Sequence, residues 1–382
     1  MRQCLVYRNG HRRRHGGLER ITLRQQWWSI VSGHSEPLLI VGAGPNGLAV
    51  AWAARQRGIE ALIVERGQQA GGAWPKMWPQ MRCLSPRHHD VTPDGVASAG
   101  EGHFATAAEV AAQWQQFAQR QRFRITFGVQ ARVQAKDHHN FSVAIGDQLL
   151  RAQRLVAATG EFDTPQCRGL AADPRQLPMG VIHARDVQAQ QVQGPSSLLV
   201  VGAGNSAAQV VAAGLASGAT VTLCAKRLPS RVTPWRPGWL ATLRWHLSGL
   251  DVPAWALQSR CQHRAPLLDP QLVEQVARGA VKLCGSAAKL VPNGVVTAAG
   301  ETVVADLVVL ATGYDRELSW MTPSDAAEPA TIPAQVRAVS TQWRGLAFAG
   351  LACSRTLRSG FLRGATGDAI ALVDALLRQV PA

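Results

Sequence analysis

"VGAGNSA" at residues 201–207 repeats, 160 residues later, "VGAGPNG" at 41–47. A short apolar run leads into each ("LLV" at 198–200, "LLI" at 38–40), and an Ala-rich stretch follows each. A buried strand that enters a tight Gly-rich turn and leaves as a helix cradles phosphates. The glycines let the backbone turn sharply and approach a pyrophosphate, and the helix start offers unpaired N–H groups and a partial positive charge. Written twice, this signal predicts an α/β protein with two Rossmann-like dinucleotide-binding domains.

The first copy is complete. In "PLLIVGAGPNGLAVAWAARQRGIEALIVERG" (37–67), Gly42 makes the turn and Gly44 admits the pyrophosphate. Pro45 and Asn46 open the helix, and Gly47 packs it against the strand. A second strand, "EALIVE", closes on Glu65, 18 residues past Gly47, where an acid accepts from both hydroxyls of an adenosine ribose; Arg66 follows. The second copy, 196–227, carries Gly202, Gly204, Asn205, Ser206 and Ala207. Counting 23 residues from its first glycine, as from Gly42 to Glu65, reaches Ala225, followed by Lys226 and Arg227. An acid there would repel a ribose 2′-phosphate, whereas cations attract it. The first turn therefore suits FAD and the second NADPH.

Two further strands, "QRLVAATGEFDTPQCRG" (153–169) and "ADLVVLATGYDRE" (305–317), each end in Ala-Thr-Gly. Such strands end beneath the nucleotide and hand the chain to the other domain, which puts Ala158, Thr159, Gly160, Thr312 and Gly313 at the cofactors. The predicted division is an FAD domain of 37–165 plus 310–382 and an inserted NADPH domain of 166–309.

Composition narrows the alternatives. The 382 residues suit two or three packed units, and 46% hydrophobic content with 36 glycines indicates a folded chain. No apolar run approaches the ~18 residues of a membrane helix. The formal charge of +15 comes from 35 Arg and five Lys against 25 acids; it reads as an Arg-rich solvated surface with an anionic cofactor rather than a nucleic-acid site. Seven scattered cysteines without a CxxC pair argue against a dithiol motif or a zinc site and for a reduced, cytoplasmic chain, and no metal is assigned. Residues 1–36, with seven Arg and two Glu, lack the apolar core of a signal peptide and read as a disordered basic extension.

With these turns in place, the chain from about residue 37 onward resembles the flavin-containing, class B monooxygenases, in particular the compact YUCCA-like members. "ERGQQAGGAW" (65–74) has their Gly-Gly-x-Trp, which implies that Gly72, Ala73 and Trp74 run along the flavin, with Leu84 and Val133 completing the cofactor set. "GVIHARDV" (180–187) is similar to the F-x-G-x-x-x-H-x-x-x-(W/Y) segment of this class. Only His183 is in register; Leu177, Met179 and Val187 replace the Phe, the Gly and the aromatic. "PLLDPQLVEQVARGAVKLCGSAAKL" (266–290) and "GLAFAGLACSRTLRSGFLRGATGDAIALVDAL" (345–376) resemble the family's approach to the second Ala-Thr-Gly and its closing strand and helix. Where many members have Thr-Asn near the flavin, "MRCLSPRHHD" (81–90) has Ser85 and Pro86, which leaves Ser85, Arg87 and His88 as candidates for its work.

The resemblance implies that NADPH reduces FAD and that the reduced flavin forms a C4a-hydroperoxide with O2. One oxygen then passes to a small soft nucleophile or a carbonyl substrate. The competing expectation is a reductase or non-catalytic redox flavoprotein. No nucleic-acid partner is implied, and a homodimer is left open. The insertion 228–266 carries Trp235, Trp239, Trp245 and Trp255 with five Arg and a single acid, Asp251. It reads as a packed helical insertion, a substrate lid, or a membrane-surface patch.

Overall fold

The computed structural model describes residues 35–162, 164–170, 177–228, 271–316, 318–321, 335–356 and 358–380. Residues 229–266 of the tryptophan-rich insertion and 1–34 of the basic extension lie outside these residues.

Two parallel sheets organise the chain. In the larger, the strands Leu346–Phe348, Leu155–Ala157, Leu39–Val41, Leu62–Glu65 and Arg124–Phe127 run side by side and parallel, and Gln335–Val336 and Val339–Ser340 extend one edge antiparallel. In the smaller, Val181–His183, Leu307–Leu310, Ser197–Val201, Thr220–Cys224 and Val281–Leu283 are all parallel. The central strands read as unbroken Val/Ile/Leu runs because parallel strands are covered on both faces; Leu39, Ile40, Leu199 and Val200 are all fully buried.

The two sheets share one hydrogen-bond pattern at their centres. Gly42 donates its N–H to the Val64 carbonyl at 2.8 Å, and Gly202 donates to Cys224 at 2.9 Å. Ala158 donates to Val41 at 2.9 Å, and Ala311 to Val201 at 2.8 Å. Each turn thus passes directly over the end of its neighbouring Ala-Thr-Gly strand. A Cβ at Gly42 (φ +110°) would collide with the Ala158 carbonyl oxygen, and one at Gly202 (φ +120°) with that of Ala311. A Cβ at Gly47 would strike the Gly42 carbonyl.

Helices cover the sheets. Pro45–Arg55 packs with the C-terminal helix Ala365–Gln379 on the larger sheet, and Trp114, Phe117, Leu48 and Leu372 share their core. Ala107–Gln121 starts in a capping box. Thr106 Oγ1 accepts from the Glu109 N–H at 3.2 Å, and Glu109 Oε2 accepts from the Thr106 N–H at 2.7 Å. Asn205–Ala216 covers the smaller sheet, with Val210 and Val211 buried against it. Among the described residues no helix is long and apolar enough to cross a membrane.

The chain passes from the larger sheet to the smaller after Ala158 and returns after Leu310. The two crossings pair as a short antiparallel ribbon, Thr164–Pro165 with Tyr314–Asp315. Gln166 donates its N–H to Gly313 at 3.0 Å, Arg168 Nε donates to the Thr312 carbonyl at 2.9 Å, and Thr312 Oγ1 donates to the Gln166 carbonyl.

If backbone collision is what requires glycine at these turns, Gly202→Ala destabilises the protein well beyond Gly218→Ala. Gly218 also has a left-handed φ, +83°, but open space around it, so its substitution carries only the left-handed strain of about 1–2 kcal/mol. Calorimetric melting of both variants checks this; equal losses would mean that the Ala311 carbonyl imposes nothing.

Candidate functional site

Each Gly-rich turn ends at the start of a helix that has no side-chain cap. Gly44 caps Pro45–Arg55 and Gly204 caps Asn205–Ala216, neither with a side-chain hydrogen bond. Helical N–H groups beside a glycine-lined cradle are what a pyrophosphate requires. A Cβ at Gly204 would meet nothing within 4 Å, and one at Gly44 would reach only Gly72, its Cα at 3.5 Å and its N at 3.9 Å. Both cradles therefore fit a dinucleotide and hold space that a side chain would take.

The first cradle is held from two directions. Glu65, 9% exposed, accepts from the Ala43 N–H on Oε2 and from the Gly67 N–H on Oε1, each at 2.7 Å. Sequence reasoning put this acid on a ribose; the structure also makes it a strap across the turn. Each oxygen keeps a second lone pair for a hydroxyl. Gly71, which the sequence reading did not single out, is buried with φ +109° and donates to the Ala43 carbonyl at 2.9 Å, bringing Gly72, Ala73 and Trp74 against the turn. Gly350 was missed as well: a Cβ there would lie 2.6 Å from Asn46 Nδ2, so this glycine lets the chain pass the helix start. The paired glycines at 71–72 were the available sequence signal. Arg66 is exposed and Leu84 half-buried; Val133 is fully buried within the Ala131–Lys136 strand, next to a shift in its pairing register.

At the second turn, Asn205 and Ser206 are half-buried at the helix start and Ala207 is fully buried against the sheet. Lys226 and Arg227 both stand exposed. The strand ends at Cys224, so strand alternation does not choose between the two cations. Ala158 is buried under the first turn, with Thr159 and Gly160 beyond it. Thr312 and Gly313 are taken up in the crossing ribbon, through the Thr312 hydroxyl and the carbonyls of both residues.

His183, the one fingerprint residue in register, is buried and joins that ribbon. Its Nε2–H donates to the Gly313 carbonyl at 3.1 Å, its Nδ1 accepts from the Arg185 N–H at 3.1 Å, and its ring stands edge-on to Tyr314 at 5.1 Å. Burial pushes its pKa down to about 4, so it is a neutral connector rather than an acid or base at physiological pH.

The three residues proposed in place of Thr-Asn separate. Arg87 donates to the carbonyls of Ser98, Ala99, Glu101, Gly102 and Phe104, to Ser98 Oγ, and to Glu109 at 3.1 Å. With its guanidinium spent on its own loop, it is an architectural residue. His88 is exposed and lies against His89, ring centres 4.2 Å apart. Ser85 Oγ donates to Asp90 Oδ2 at 2.5 Å. Asp90, which the sequence reading passed over, is 1% exposed and its Oδ1 has no partner. Burial pushes its pKa up to about 6, against the hydrogen bond from Ser85 and the charge of Arg363. Among the described residues no group of His, Cys, Asp and Glu could hold a metal.

The family model described as pyridine nucleotide-disulphide oxidoreductase matches residues 39–240. The chain is 25% identical over 355 residues to an uncharacterized oxidoreductase CzcO-like of Geobacillus kaustophilus, covering 91% of this chain and 99% of that one. It is 26% identical over 387 residues to a probable indole-3-pyruvate monooxygenase YUCCA9 of Arabidopsis thaliana, covering 87% and 86%. The structure superposes on a flavin-containing monooxygenase from Stenotrophomonas maltophilia with a TM-score of 0.68, 21% identity, and coverage of 90% and 98%. The mixed α/β fold is thus that of these flavoproteins.

Asp90 makes stability pH-dependent. Its folded pKa lies above the ordinary 3.8, so its contribution is fully present below that value and lost as pH rises through about 6. The shift corresponds to about 3 kcal/mol. Asp90→Asn should therefore gain stability over the wild type by roughly that amount between pH 4 and pH 7.5 in denaturant unfolding. A constant difference across that range would show that the carboxyl titrates normally.

Proposed function

The chain belongs to the pyridine nucleotide-disulphide oxidoreductase family, and on that footing we propose that it is an NADPH- and FAD-dependent monooxygenase. It would transfer one atom of O2 to a small soft nucleophile or a carbonyl substrate. We assign residues 37–165 plus 310–382 to the FAD domain and the inserted 166–309 to the NADPH domain. On this reading the protein works in the cytoplasm on a small molecule and O2.

One observation carries the proposal: the same backbone cradle occurs twice with opposite charge at its ribose end. Glu65 stands at the first and Ala225, Lys226 and Arg227 at the second. The bound flavin would supply electron transfer and oxygen activation, chemistry that no side chain can provide. The residues supply placement. Gly42, Gly44 and Gly47 with Glu65 hold the adenosine and pyrophosphate of FAD; Gly202, Gly204 and Ala207 hold those of NADPH. The sequence contains no CxxC pair, so the dithiol chemistry in the family's name has no such motif to run on. The resemblance to the YUCCA-like enzymes and the indole-3-pyruvate monooxygenase name of one relative support oxygen transfer over simple reduction.

The purified protein should be yellow with about one FAD per chain, and Gly44→Val should be colourless, because its side chain fills the space between Gly44 and Gly72. Anaerobic flavin bleaching should favour NADPH over NADH by roughly tenfold or more, the size of one charge-assisted contact to a 2′-phosphate. Arg227→Ala should remove most of that preference, and Lys226→Ala less, since an ammonium cannot fork two hydrogen bonds. Equal use of the two coenzymes by the wild type would overturn the assignment of the second turn. Peroxide released in step with NADPH oxidation for every candidate substrate would favour a reductase.

A further inference from the structure

The segment that follows the Gly-Gly-x-Trp turn does not stay with the larger sheet. Trp78, 8% exposed, is buried in the core of the smaller sheet with Ala207, Ala208 and Val211, and Met81 packs against the same cluster. One edge of residues 81–83 is paired: Ala107 donates to the Met81 carbonyl and Cys83 to the Ala105 carbonyl, each at 2.7 Å. In such an antiparallel bridge the residue between, Arg82, turns its own N–H and C=O to the opposite edge. There they meet the side chain of Gln209, from the helix that begins at the second Gly-rich turn. The Arg82 N–H donates to Gln209 Oε1 at 2.8 Å, and Gln209 Nε2 donates to the Arg82 carbonyl at 2.9 Å. A side-chain amide thus plays the part of a missing β-strand.

We propose that Gln209 is a positioning residue that straps the two dinucleotide cradles to each other. The strap has three fixed points. At one end Gly71 is bonded to Ala43 of the first turn, in the middle Trp78 is seated in the second core, and at the far end Gln209 holds Arg82 two residues past Ala207. Since 71–82 joins the first turn to the helix of the second outside the crossing ribbon, fixing Arg82 would set the distance and angle at which one nucleotide meets the other. The Gln209 side chain bonds to the Arg82 backbone through both its oxygen and its nitrogen. Its effect is on approach geometry, which is where an error of about 1 Å costs on the order of a hundredfold in rate. The kinetic consequence rests on the reading given under Proposed function; the strap itself does not.

The test uses the full-length FAD-loaded protein and three forms: wild type, Gln209→Leu and Gln209→Glu. Hydrogen exchange should show the Arg82 amide protected in the wild type and released in Gln209→Leu, while exchange in the Leu198–Val201 strand is unchanged. Anaerobic flavin reduction by NADPH should slow by about ten- to a hundredfold in Gln209→Leu, with FAD content and the NADPH dissociation constant within about twofold of wild type. Gln209→Glu separates positioning from packing. An ionised carboxylate can only accept, whereas a protonated carboxyl offers both an acceptor and a donor, as the amide does. Its reduction rate should therefore recover toward wild type as pH falls to about 5, near the ordinary glutamate pKa. An Arg82 amide that exchanges alike in wild type and Gln209→Leu overturns the strap. Released exchange with an unchanged reduction rate overturns its positioning role. A wild type whose flavin NADPH does not reduce overturns the functional reading instead, and the exchange data alone then decide whether the strap exists.

Discussion

The close passage of Gly42 over the Ala158 carbonyl, and of Gly202 over that of Ala311, is the constraint on which the rest of the structure depends. A side chain at either glycine would have to occupy the space of a backbone oxygen, and backbone oxygens bonded into a sheet cannot move aside. With hydrogen there instead, each turn lies flat on its neighbouring strand end and the following helix starts immediately above it. The helix therefore begins without a side-chain cap at a glycine-lined cradle, an arrangement suited to a phosphate. Both sheets repeat this arrangement bond for bond, from the amide of the first glycine to the amide that follows each buried strand.

Identical backbones leave the difference between the sites to a few side chains at the ribose end. Glu65 serves two purposes: it braces the first turn through the amides of Ala43 and Gly67 and still presents lone pairs outward. Among the described residues the second turn shows no corresponding carboxylate brace. Ala225 is buried, and the cations after it stand in solvent, where they can collect an anionic group without themselves holding the fold.

Between the sheets, polar fastenings join the apolar seat of Trp78 in the core of the smaller sheet. His183 and Thr312 tie the crossing ribbon, and burial keeps the imidazole neutral, so the tie persists over the physiological range. Arg87 gathers the 98–104 loop onto the Glu109 helix, the Ser85–Asp90 pair lies within the same loop region, and Gln209 closes the open edge at Arg82. Side-chain hydrogen bonds hold direction better than apolar contacts, which suits elements that must set an angle between two binding sites.

The sequence by itself determined the two cradles. Their glycines, flanking apolar runs, the Glu65 position and the Lys226–Arg227 pair are local patterns with fixed spacing, and local steric rules make such patterns legible. It also marked Ala-Thr-Gly at both strand ends, because a buried parallel strand is written as a continuous apolar run. It did not reveal Asp90 as a buried acid, the loss of Arg87 to its loop, or Gln209 against Arg82. Those facts depend on which segments meet across 5, 22 and 127 positions of chain, and a polar residue looks the same in a sequence whether water or a carbonyl answers it. Only tertiary structure decides that, because desolvation and the pairing of buried polar groups are properties of the neighbours that folding supplies.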